Sequence, residues 1–393
     1  MIQPVYILSG VRTAIGDFGG ALKNLSPCEL ASQVVAEAIN RSGLSAEQYE
    51  HCVLGNVLHS EARDMYISRV AALNAGMLPG SRAFTLNRLC GSGLQSIISA
   101  TQMIQLGDVN AAVAGGAESM SRAGYLLPSQ RWGKRMGDAE VIDMMTGVLT
   151  DPFGHGHMGV TAENVAKEYA IDREQQDNFS VESHRRAAQA IADGHFDAQI
   201  LPIATHPKKP EQVFSQDEHV RGDIQQADLA SMRPVFQRDG TVTPGNASSL
   251  NDGAAALTLA SGDLVDSTGL KPMARILAYG HSGIAPEIMG MGPIDAVNQA
   301  LERAGLALSD IDVIESNEAF AAQACAVSST LNLDPERVNP NGGAIALGHP
   351  IGATGSIILV KAIYELQRIQ GRFALITMCI GGGQGIALII ERT

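Results

Sequence analysis

VAEAINRSGL at residues 35–44 returns as VNQALERAGL at residues 297–306, with Ala38/Ala300, Arg41/Arg303, Gly43/Gly305 and Leu44/Leu306 identical at one offset. Each copy ends a helical pattern on a glycine in the position just past the C-terminus, then runs through an acidic loop into an apolar strand. Those strands reach Asn56 in one copy and Asn317 in the other, displaced by a single residue. Further on, Leu89–Gly107 followed by Val109–Gly116 is matched by His349–Gly371 followed by Phe373–Gly383. Both read as turn, helix, glycine, strand and glycine cluster. The shared order of elements, more than the identities, indicates an internal duplication.

Outward from the repeat, the apolar runs Val5–Leu8, Val53–Leu54, Ala111–Ala114 and Ala255–Leu259 are short and bounded by Gly, Asn or Ser, as buried strands are. Longer helical patterns such as Glu29–Arg41 and Ser92–Leu106 lie between them. Alternation of strand and helix predicts a layered α/β architecture around a central sheet. The two copies, about 120 residues each, leave residues 121–249 as an insertion of different character, with irregular stretches such as GKRMGD and THPKKPEQ. Two similar units meeting face to face place a site at their junction, near the repeated strand ends.

Composition narrows the function classes. Of 393 residues, 28 are Lys or Arg and 41 Asp or Glu, a formal net charge of −13 that argues against a general nucleic-acid binder. Hydrophobic residues at 45% and charged residues at 18% describe a folded globular chain. No apolar run approaches the ~18 residues of a membrane span, and the N-terminus reads as a first strand rather than a leader, so a cytoplasmic protein without a membrane role is expected. The five cysteines, Cys28, Cys52, Cys90, Cys325 and Cys379, are widely spaced, which fits free thiols.

Four positions could carry chemistry. Cys90 in NRLCGSGLQS stands where a helix begins, where free amides and the positive end of the helix dipole favour a thiolate and can hold an oxyanion; its bland alternative is an inert core thiol. Cys379 in TMCIGGGQG closes a strand run beside a glycine cluster that lets another chain or a ligand come close. His349 in NGGAIALGHPIGATG stands, in the repeat, opposite Cys90, where an imidazole can take a thiol proton. Asn317 in ESNEAFAAQA can hold a water or a carbonyl oxygen, or can cap the following helix; Glu318 beside it can orient a neighbour. His155 and His157 in FGHGHMG lack a further ligand cluster nearby, so no metal is expected. Arg131, Lys134 and Arg135 around Trp132, with Lys208, Lys209 and Arg221, are the basic features of the insertion, and solvated charge is their default reading.

Together these blocks, with NASSLNDGAAA at residues 246–256, resemble the signature motifs of the thiolase family, in the family's order and over essentially the whole chain. The resemblance implies a duplicated five-layer α-β-α-β-α core. One half would be residues 1–120 plus 250–272, the other 273–393, with 121–249 a loop domain for CoA binding and oligomer contacts. It implies an acetyl-CoA C-acetyltransferase, or β-ketothiolase: condensation of two acetyl-CoA to acetoacetyl-CoA and CoA, reversed as thiolysis, by a ping-pong route through an acyl group on Cys90.

By the same resemblance His349 is the base that activates Cys90 and shares an oxyanion site with a water on Asn317. Cys379 is the second, acid/base cysteine, and the amides of Cys90 and Gly381 form a second oxyanion hole. His157, Met158 and Ser248 match CoA-contacting positions, and Leu149, Arg221, Ala319 and Phe320 fall near others. Ser249 stands where many relatives have Gly. No cofactor is permanently bound; coenzyme A and acetyl-CoA are substrates. A homo-oligomer is expected, a tetramer built as a dimer of dimers, with Met65–Arg69 and residues 121–145 at subunit contacts. A decarboxylating condensing enzyme, a non-catalytic acyl-binding protein and a redox dithiol protein are the rivals. The second cysteine, the complete Cys/His/Cys set and the absence of a C-x-x-C spacing speak against them in turn.

Overall fold

Ser26 opens the first long helix with a capping box: its hydroxyl accepts the Glu29 N–H while the Glu29 carboxylate accepts the Ser26 N–H. Pro27 follows at the first turn, and Gly43 ends the helix with φ of 82°. Gly305, its counterpart in the repeat, ends a helix in the same left-handed conformation. The computed structural model that shows this describes residues 3–206, 209 and 211–393; Lys208 lies outside them.

The first half contains strands β1 (Val5–Thr13), β2 (His51–Gly55), β3 (Arg82–Leu86), β4 (Ala111–Ser119) and β5 (Asn251–Ser261), with helices α1 (Pro27–Ser42) and α2 (Ser92–Leu106). Between β4 and β5 the insertion contributes α3 (Met158–Glu168) and α4 (Arg173–Ala192) besides shorter pieces. The second half contains β6 (Ala274–Gly283), α5 (Pro293–Ala304), β7 (Val313–Ser316), α6 (Ala321–Leu331), α7 (Thr354–Ile369), β8 (Phe373–Ile380) and β9 (Gln384–Arg392).

Strand order states the duplication more plainly than the residues do. The first half runs β3-β2-β4-β5-β1 and the second β7-β8-β9-β6. Ile314 of β7 adds a parallel bridge to Val338, in the place that β3 occupies beside β2. Both halves are parallel on that outer side and antiparallel toward the join, where Val5–Ile7 of β1 pairs with Ala274–Ile276 of β6. The side-chain period of two then sorts each strand between two cores. On β4, Ala112 and Ala114 face a central core while Ala111, Val113 and Ala117 face an outer one under α1. On β8, Ile376 and Met378 face the central core and Leu375 the outer one under α5. Helices α2 and α7 fill the centre with Leu94, Ile97, Ile98, Ile357, Val360 and Ile363. The sequence of layers is α, β, α, β, α, as expected.

The expected strands fall within observed ones that run further, because the ladder continues by backbone bonding after the apolar side chains stop. Ser92–Leu106 is helical over the expected span. No helix among the described residues is long and apolar enough to cross a membrane.

Candidate active site

Cys90 sits at a bend immediately before α2. Leu89 takes a φ of 48°, a left-handed conformation that costs an ordinary residue about 1–2 kcal/mol. Its neighbours hold it there: Asn87 Oδ1 accepts the Leu89 N–H at 2.9 Å, and the Ser92 hydroxyl accepts the Arg88 N–H at 2.8 Å while donating to the Leu89 carbonyl at 2.7 Å. The N–H groups of Gly381 and of Cys90 itself point at the Cys90 sulfur. Gly381 belongs to the turn between β8 and β9, so the glycine cluster is a hairpin turn and part of the site at once. A Cβ on Gly383 in that turn would lie 2.1 Å from the Ile284 carbonyl, and its φ is 83°; only glycine fits.

His349 is buried, and its Nδ1 lies 2.6 Å from the Thr354 hydroxyl. That hydroxyl donates its single proton to the Pro350 carbonyl at 2.9 Å, so it accepts from Nδ1–H. Nε2 therefore carries the lone pair, and the Asn317 amide nitrogen lies 3.5 Å from it, a loose contact that leaves the lone pair able to take a proton. Burial pushes the His349 pKa down to about 4, which keeps the ring neutral and able to accept a proton. The His349 N–H donates to Asn251 Oδ1 at 2.8 Å, an oxygen that also accepts from the Ser249 hydroxyl at 2.9 Å. Ser249 thus helps seat the histidine.

Asn317 does not cap α6; Phe320 is the residue preceding that helix, and its backbone, not a side chain, makes the transition. The Asn317 N–H extends the sheet to the Thr377 carbonyl at 3.0 Å, which turns its side chain toward His349. Its Oδ1 is buried with no partner in the chain. Glu318 fixes the loop, accepting from Ser183 at 2.6 Å, Asn339 at 2.8 Å and the Ile345 N–H at 3.2 Å.

Cys379, at the end of β8, is surrounded by Met158, Met289, Ala319 and Phe320. Burial in that apolar nest, and the nearby Cys90 sulfur, raise its pKa. The Cys90 thiol is also raised: burial outweighs the two amides that favour the thiolate. The amides at the helix start act in the expected direction, favouring the charged sulfur, and desolvation opposes them. The amides stabilise the charge once formed, but desolvation costs more, so deprotonation needs a base.

One cavity of about 460 Å³ joins these parts. Cys90, His349, Cys379, Gly381, His157, Met158, Ser248, Leu149, Arg221, Ala319 and Phe320 line it; Asn317 is not in the lining and reaches the site through its contact with His349 Nε2. His157 caps α3, accepting the Gly159 N–H on Nδ1 at 3.1 Å, and stacks on Phe236 with ring centroids 4.7 Å apart. His155 reaches Glu287 instead, at 3.6 Å. Ser248 donates to the Ala319 carbonyl at 3.0 Å, tying the insertion's last strand-like segment to the Asn317 loop. Trp132 is 90% exposed, away from the cavity. Sequence reasoning passed over Met120, His219, Phe236, Leu250, Met289 and Ile351, which also line the cavity. Leu250 and Ile351 lie inside quoted motifs, as apolar positions that their motifs do not mark out; the others come from segments without one.

Comparison with known proteins followed the same lines. Residues 5–263 match the family model described as thiolase, N-terminal domain, and residues 270–392 the one described as thiolase, C-terminal domain. The chain is 59% identical over 393 residues to the β-ketothiolase BktB of Cupriavidus necator, covering 100% of both. It is 48% identical over 389 residues to an acetyl-CoA acetyltransferase of Escherichia coli, covering 98% of each. Human mitochondrial 3-ketoacyl-CoA thiolase, solved in complex with CoA, superposes with a TM-score of 0.97 at 41% identity, over 100% of this chain and 98% of that one.

Proposed function

The chain belongs to the thiolase family, and from that premise we propose that it is an acetyl-CoA C-acetyltransferase, a β-ketothiolase that joins two acetyl-CoA into acetoacetyl-CoA and cleaves β-ketoacyl-CoA in reverse. The observation that carries the proposal is the convergence of Cys90, His349 and Cys379 on one cavity, with two amides aimed at the Cys90 sulfur.

The protonation states order the steps. Neutral His349 takes the Cys90 proton on Nε2, and the sulfur attacks the thioester carbonyl, whose oxygen is held by the water on Asn317 and by His349 or by the amides of Cys90 and Gly381. CoA leaves as a thiolate. Cys379 must itself be a thiolate to take the α-proton of the second acetyl-CoA, and its raised pKa means that it rests protonated. Its proton therefore goes to the departing CoA, which leaves Cys379 as the base. The carbanion attacks the acetyl-Cys90 carbonyl, the new carbon–carbon bond forms, and Cys90 departs to recover its proton from His349. Every proton is returned.

His157, Met158, Leu149, Arg221, Ser248, Ala319 and Phe320 line the approach to Cys90 and are assigned to the CoA arm. Residues 121–249 act as the loop domain between halves 1–120 plus 250–272 and 273–393. The enzyme works in the cytoplasm as a tetramer, in fatty-acid or polyhydroxyalkanoate metabolism.

Thiolysis of acetoacetyl-CoA and 3-ketovaleryl-CoA with free CoA tests this. Turnover is expected with wild type, together with an acetyl group recovered on Cys90 from acetyl-CoA. Cys90→Ala should lose that label, whereas Cys379→Ser should acylate and condense at least a hundredfold more slowly. An unaltered condensation rate in Cys379→Ser, or a label persisting in Cys90→Ala, removes that cysteine from the mechanism.

A further inference from the structure

The duplication gives Asn317, Cys379 and Cys90 each a counterpart in the other half; by helix starts the counterpart of Cys90 is Gly352, three residues past the His349 that the sequence repeat sets opposite it. In the first half Gly55 pairs with Gly116, and in the second Ser316 pairs with Thr377. One residue beyond the first members stand Asn56 and Asn317; two beyond the second stand Glu118 and Cys379. Cys379 interacts with Cys90, two residues before α2 begins at Ser92. Glu118 accepts a hydrogen bond from Gly352, two residues before α7 begins at Thr354. The cysteine pair of the mechanism thus has an internal counterpart in the pair Glu118–Gly352, and the mechanism leaves that pair unused.

Glu118 is fully buried. Its Oε1 accepts from Asn56 Nδ2 at 3.1 Å and the Leu58 N–H at 3.0 Å; its Oε2 accepts from the Val57 N–H at 3.1 Å and the Gly352 N–H at 2.9 Å. Three of these donors belong to the first half, and Gly352 belongs to the His349–Gly352 turn of the second. The same turn is clamped by contact: a Cβ on Gly116 would lie 2.1 Å from the Gly352 carbonyl. No lysine or arginine among the described residues forms an ion pair with Glu118. Burial pushes its pKa up to about 8, with Asp64 adding to the rise. Yet all four partners are N–H donors, so a proton on either oxygen would confront a donor, and the carboxylate is the form the cradle fits.

We propose that Glu118 is a positioning residue for acyl transfer: its carboxylate ties the His349–Gly352 turn of one half to the strand ends of the other, and so holds His349 Nε2 in line with the Cys90 sulfur. The proposal rests on the thiolase reading of the site. Gln at this position keeps the volume but sets an NH₂ against two donors. Asp keeps the charge but is too short to span both sets of partners.

The test compares wild type, Glu118→Gln and Glu118→Asp in thiolysis of acetoacetyl-CoA, in acetylation of Cys90, and in iodoacetamide alkylation of Cys90 across pH. A misaligned base predicts kcat and acetylation reduced about a hundredfold, with KM for CoA within about threefold of wild type. It also moves the alkylation profile to higher pH, because the thiol loses its acceptor. Simple loss of a negative charge near Cys90 would move that profile to lower pH, since Glu118 raises the thiol pKa. That shift, or kcat within threefold of wild type in a folded variant, overturns the proposal. If Glu118→Gln does not fold, Glu118→Asp decides by the same readings; if neither folds, the carboxylate is structural only and the proposal fails. A wild type that neither turns over nor acetylates Cys90 would overturn the thiolase reading itself, a different result.

Discussion

At the scale of single residues, burial sets the protonation states on which the chemistry depends. It pushes the His349 pKa down to about 4 and both cysteine thiols up. The same physics makes His184 a reporter of acid stability. It is buried, its Nδ1 accepts the Arg221 N–H at 3.2 Å, and burial with His219 and Arg221 nearby pushes its pKa from 6.5 down to about 4. Between those values the unfolded chain binds a proton that the folded one refuses, so stability falls as pH falls through this window. In His184→Gln that contribution disappears. The loss of unfolding free energy from pH 6.5 to 4 should be shallower than in wild type by up to about 1.4 kcal/mol per pH unit. Urea titrations at several pH values measure it; equal slopes would place the His184 pKa near its ordinary value. Motifs marked Cys90, His349, Cys379 and Asn317 because residue type and local turn are visible in sequence. The direction of the Cys90 shift was not legible, since desolvation depends on which residues from the other half close over the sulfur.

Elements carry these residues to their places through a few buried ties. Arg12, near the end of β1, is fully buried and meets Asp217 of the insertion in a two-pronged ion pair at 2.7 and 2.9 Å. Next to it, Glu218 accepts the Asp17 N–H at 2.8 Å and His219 Nδ1 lies 2.8 Å from Asp17 Oδ1. The pair therefore moors the segment that brings His219 and Arg221 to the cavity wall. Asp217→Ala leaves a guanidinium buried without its partner, and breaking a buried pair this way costs about 3–5 kcal/mol. Denaturant unfolding should show that loss, and KM for CoA should rise more than kcat falls. A stable variant with unchanged KM would mean that the segment is held by other contacts. No sequence pattern joins positions 205 residues apart. The helix ends, by contrast, were readable, because Gly43 and Gly305 act on their own neighbours.

On the scale of the whole molecule, neither half owns the site. Cys90 comes from one, His349, Asn317 and Cys379 from the other, and α2 and α7 share the central core between them. Residues 1–272 and 273–393 expressed separately should each expose that core, bind a hydrophobic dye and melt without a sharp transition, and neither should thiolyse acetoacetyl-CoA. A cooperative melt of either piece at the temperature of the full chain would contradict a shared core.

The sequence alone determined the duplication, the alternation of strand and helix, the resemblance to the family, and which side chains are candidates for chemistry. These are properties of short segments, written in period, turn residues and motif. Only the tertiary structure decided that Asn317 turns to His349 instead of capping α6, that desolvation pushes the Cys90 thiol up against its two amides, and that Glu118 grips the opposite half. Each of those depends on desolvation or on hydrogen bonds between distant parts of the chain, and these exist only once the two halves have packed together.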